Sequence, residues 1–84
     1  MPVVNVQPDG RTVRIVAGEI SGQLRVFNTG APNPDGEDTE YDYQIGETLV
    51  QHDSLAPEGV TTLLVNGQQF RIDNDGPSVL QLSY

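Results

Sequence analysis

Nine glycines and six prolines divide the 84 residues into short apolar runs, none of them long enough for an ordinary helix. No window of about 11 residues carries apolar side chains at i, i+3, i+4 and i+7. Punctuation this dense belongs to short strands joined by turns. The expected fold is all-β: a small antiparallel sandwich or barrel of six to seven short strands, in one domain over residues 1–84.

The stretch TTLLVNGQQFRID, residues 61–73, holds the strongest local signal. Asn66-Gly67 suits a type I′ turn, which needs positive φ at both central positions. A two-residue hairpin there would pair Val65 with Gln68, Leu63 with Phe70 and Thr61 with Ile72. Alternation then sets Leu63, Val65, Phe70 and Ile72 on one face, and Thr62, Leu64, Gln69 and Arg71 on the other. A second hairpin is expected around QPDG, residues 7–10, with Val13 and Ile15 facing away from Thr12, Arg14 and Val16. QLRVF (23–27), YDYQI (41–45) and SVLQLSY (78–84) read as further strands, and HDSLAPEG (52–59) as a loop.

Size and charge narrow the function. A chain this short buries only roughly 60–65% of its unfolded surface. It has no cysteine for a disulfide or a thiolate metal site, so a partner subunit is a natural source of added stability. The net charge is −8, and the only basic residues are four arginines. Such a field repels phosphate backbones and anionic lipids, so neither nucleic acid nor membrane is an expected partner. No segment approaches the ~20 apolar residues of a membrane-crossing helix. The N-terminal MPVVNVQPDG lacks the basic and apolar regions of a signal peptide.

Catalytic chemistry finds little support. The single histidine, His52, is followed directly by Asp53 and Ser54. Adjacent residues cannot form a relay in which a nucleophile meets the imidazole and a carboxylate backs it. No phosphate-cradling loop and no histidine or cysteine cluster is present. Calcium is the one cation whose ligand chemistry matches the carboxylates of NPDGEDTEYDY, residues 33–43. Their spacing is irregular, however, and DNDG (73–76) breaks the calcium-loop pattern. The expectation is a surface loop over residues 33–40, with no metal and no cofactor.

These exclusions leave a non-enzymatic structural or interaction protein. In size, composition and strand content the chain is similar to small subunits that decorate or cement virus and phage shells. That resemblance implies a homo-oligomer or assembly subunit in the virion or the infected cytoplasm, with a protein or shell surface as partner. The alternative is an acidic decoy that fills a basic groove on a nucleic-acid-handling target. The candidate contact residues are Asp35, Glu37, Asp38 and Glu40 of the acidic stretch, Tyr41 and Tyr84, and the strand arginines Arg14 and Arg25. The arginines, Arg71 among them, are also expected to pair with carboxylates across strands.

Overall fold

The computed structural model describes residues 2–32 and 35–84. Eight strands form among them: β1 (Val3–Val6), β2 (Arg11–Ile15), β3 (Gln23–Asn28), β4 (Thr39–Ile45), β5 (Gln51–Leu55), β6 (Val60–Leu64), β7 (Phe70–Asn74) and β8 (Leu80–Ser83). No helix is present among the described residues. The strands make two four-stranded antiparallel sheets, ordered β1-β8-β3-β6 and β2-β7-β4-β5. This is the strand order of a jelly roll, so the sandwich expectation holds and the count rises to eight.

The chain behaves as one long antiparallel ribbon folded over itself. Its rungs are β4·β5, β3·β6, β2·β7 and β1·β8. Winding the ribbon adds the contacts β3·β8 and β4·β7. The ribbon turns a corner wherever both of its strands change sheets together, and backbone hydrogen bonds stitch each corner across. Asp9 and Gly10 N–H groups donate to Gly76 and Asn74 carbonyls at the first corner. Val65 and Asn66 donate to Gly22, Gly67 to Ile20, and Gly18 to Gly67 at the second. At the third, Asn28 donates to Gly59 and Glu58 donates to Asn28. Backbone groups that a bend would orphan are therefore bonded to the opposing bend.

Both expected hairpins are corrected by this arrangement. Asn66 and Gly67 do adopt φ of 53° and 76°, the left-handed turn that their side chains favour. But β6 then pairs with β3, and β7 pairs with β2 and β4. The QPDG turn likewise joins strands of different sheets, with β1 on β8 and β2 on β7. The turns form and the ladders lie elsewhere. The segment read as a loop at His52 is strand β5, hydrogen-bonded to β4.

The side-chain alternation survives, because it depends on the pleat and not on the partner. Val65, Phe70 and Ile72 are buried while Thr62, Leu64 and Gln69 are exposed. The core between the sheets holds Val6, Ile15, Ile20, Leu24, Val26, Tyr41, Val65, Phe70, Ile72, Leu80 and Leu82. Tyr43 bridges Tyr41 and Phe70, with ring centroids 6.0 and 6.4 Å away.

Two asparagines close strands in the same way. Asn28 ends β3 and Asn74 ends β7, and both are fully buried. In each, Oδ1 accepts the N–H two residues on, Gly30 for Asn28 and Gly76 for Asn74. Asn28 Nδ2 donates to the Leu55 carbonyl, and Asn74 Nδ2 to those of Val6 and Ser78. Each amide thus builds its own turn and ties it to a neighbouring segment.

Candidate interaction faces

With the inward residues spent on the core, the outward ones define two broad faces of different chemistry. On the β1-β8-β3-β6 sheet, cross-strand register groups them into rows. One row runs Val3, Ser83, Arg25, Thr62; the next runs Asn5, Gln81, Phe27, Val60; Gln23 and Leu64 complete the face. None of these is a carboxylate, although the chain has twelve. Val3, Val60 and Leu64 are 56%, 53% and 60% exposed, so an apolar share of the face meets water. A shallow groove of about 330 Å³ runs between Gln23, Arg25, Thr62 and Ser83.

The opposite sheet presents charge. Its outward rows bring Thr12, Asp73, Asp42 and His52 into line, and beside them Arg14, Arg71 and Gln44. Asp42 faces Asp73 directly, an unfavourable like-charge placement. Two neighbours offset it. The Thr12 hydroxyl donates to Asp73, and His52 Nδ1 lies 2.6 Å from Asp42 Oδ1. The other ring nitrogen, Nε2, lies 3.5 Å from Glu40 Oε1.

The hydrogen bond to Asp42 is the main cause that raises the His52 pKa above its ordinary 6.5, and Glu40 adds to it. A raised folded value means the protonated imidazole is favoured by folding. Its contribution is fully present below pH 6.5 and is lost as pH rises through the folded value. The melting temperature of the parent should therefore fall over that rise relative to a His52→Gln variant. Parallel curves for the two proteins would show that His52 does not titrate against these carboxylates.

The sequence-derived candidates are scattered by the fold. Asp35, Glu37 and Asp38 are exposed in the β3–β4 connection, as expected; Asn33 and Pro34 of the same stretch lie outside the described residues. Glu40 is exposed on β4 beside His52. Arg14 and Arg25 sit on opposite outer faces. Tyr84 is half-buried against the core, and its N–H donates to the Pro2 carbonyl. Tyr41 is corrected from contact residue to core residue, being fully buried. Its hydroxyl donates to Asp53 Oδ2 at 3.3 Å, and burial, followed by Asp53, holds its pKa above the ordinary value.

The expected arginine–carboxylate pairing across strands is also corrected, because Arg14 lies opposite Arg71. Arg71 Nε reaches only to 3.8 Å from Asp73 Oδ2, on its own strand. The carboxylate-free face was not anticipated. Its one visible trace was Leu64, an apolar residue on the otherwise polar side of its strand. Among the described residues, no group of three or more histidine, cysteine or acidic side chains is placed to hold a metal ion. The sequence matches no protein-family model and no curated protein.

Proposed function

We propose that this chain is a non-enzymatic assembly subunit whose copies associate through the outer face of the β1-β8-β3-β6 sheet, as in a small capsid-decorating protein. The carrying observation is the absence of carboxylates from that face. Two molecules of charge −8 repel each other. Approach through this face costs least electrostatically, and it buries Val3, Val60 and Leu64. The molecule measures 36 × 26 × 17 Å, so its broad side is large enough for the ~800 Å² per partner of a standard interface. Jelly rolls also build viral capsid, lectin and cupin domains, which supports the reading by analogy of fold alone.

Light scattering tests it. The parent should show a mass that rises above 9.1 kDa with concentration. A Val60→Glu/Leu64→Glu variant should stay folded and weaken association at least tenfold, since each change sets a charge in the contact. A parent that remains monomeric at millimolar concentration overturns self-assembly. It would leave the acidic decoy as the better reading, which the exposed run Asp35, Glu37 and Asp38 favours.

A further inference from the structure

We propose that the cleft between Arg14 and Arg71 is a binding site for a carboxylate group. The chain has only four cationic side chains, and the fold sets two of them directly opposite each other on the outward side of the β2·β7 ladder. Like charges so placed oppose folding. Among the described residues, neither guanidinium is held in a hydrogen-bonded ion pair. Among the described residues Arg14 forms no ion pair. Arg71 Nε is buried without a hydrogen-bond partner, and its 3.8 Å approach to Asp73 is beyond hydrogen-bonding distance.

The space beside the two arginines is a cleft of about 320 Å³ with no carboxylate in its lining. Ile15 and Phe70 belong to the core and form an apolar floor, while Gln44 and Gln69 supply neutral walls. A planar carboxylate accepts two parallel N–H bonds from a guanidinium fork. The negative field of the whole molecule opposes a ligand in proportion to its charge, so a single carboxylate is favoured over a phosphate carrying more. Its source is either a free monocarboxylic acid or an isolated acidic side chain of another polypeptide. The site itself does not depend on the assembly reading, since either source would fill it.

The test titrates the full-length protein while following the Nε–Hε signals of Arg14 and Arg71 by NMR. The probes are acetate, a capped peptide of neutral residues around one glutamate, the same peptide with the glutamate converted to its amide, and inorganic phosphate. Saturable shifts at Arg71 with acetate or the glutamate peptide support the site, and the probe that binds identifies the source. Arg14→Gln, at an exposed position, should lower that affinity about tenfold. Arg14→Lys should recover only part of it, since the fork is lost while the charge remains. Absence of any saturable shift overturns the proposal, as does an unchanged affinity in Arg14→Gln or equal binding of the amide peptide. Tighter binding of phosphate than of either carboxylate probe would overturn the assigned ligand class.

Discussion

Asn74→Ala should cost about 3 kcal/mol of folding stability, because it strands several buried polar groups at once, each worth about 1–3 kcal/mol when left unsatisfied. The side chain is fully buried and makes three hydrogen bonds: two given to Val6 and Ser78 carbonyls, at 3.0 and 2.8 Å, and one accepted from Gly76 N–H at 3.0 Å. Alanine replaces none of them and leaves a void. Total stability for a domain of this size is about 4–12 kcal/mol, so the variant would lose a large part of it. Urea unfolding measures the loss directly. A change below about 1 kcal/mol would mean that the three backbone groups find other partners and that the amide is not the tie described.

Gly76→Ala should be almost as damaging, at about 2–3 kcal/mol, for a steric reason that has nothing to do with φ. A Cβ on Gly76 would lie 2.6 Å from Thr39 Cα and 2.8 Å from Glu40 N. Both are backbone atoms of β4 and cannot swing aside as a side-chain tip would. Gly67 offers the contrast: φ is +76°, but a Cβ there meets nothing within 4 Å. Gly67→Ala should cost about 1 kcal/mol from backbone strain alone. Thermal unfolding of both variants separates the two mechanisms. If Gly67→Ala proved the more harmful, the close packing of the β7–β8 corner against β4 would be wrong. Because Gly76 and Asn74 share a hydrogen bond, a double variant should lose less than the two single losses combined.

What the sequence revealed and what it hid divide along the range of the interaction. The faces of residues 61–73 were legible because the pleat alone sets them, and so was the left-handed turn at Asn66-Gly67. The ladder was not, since a turn of that shape serves a ribbon corner as well as a hairpin, and only distant β3 and β2 decide between them. Strand β5 was hidden for a different reason. At the sheet edge, four of its five residues are exposed, so QHDSL shows no apolar alternation. Tyr41 and Tyr43 share one face in any strand reading; their unequal burial comes from position along the sandwich. The opposition of Arg14 and Arg71, 57 positions apart by their numbering, could not be read before the register was known. The two N-x-G segments, Asn28-Thr29-Gly30 and Asn74-Asp75-Gly76, were local signals available for both strand-closing asparagines.

The wound ribbon also decides how fast this chain can find its structure. Of its six strand pairings only β4·β5 joins neighbours in sequence, while β1·β8 brings Val3 beside Ser83. Loop-closure entropy must be spent before such distant pairings return any stabilisation, so folding belongs to the millisecond-to-second range of β sandwiches. The search has one inexpensive starting point, the tip at residues 46–50, from which β3·β6, β2·β7 and β1·β8 can zip in order. The corners then act as gates, because each must bend both strands before the next rung can close. A defect in the tip therefore slows folding. The same loss of stability in β1 or β8, the last rung to form, instead speeds unfolding.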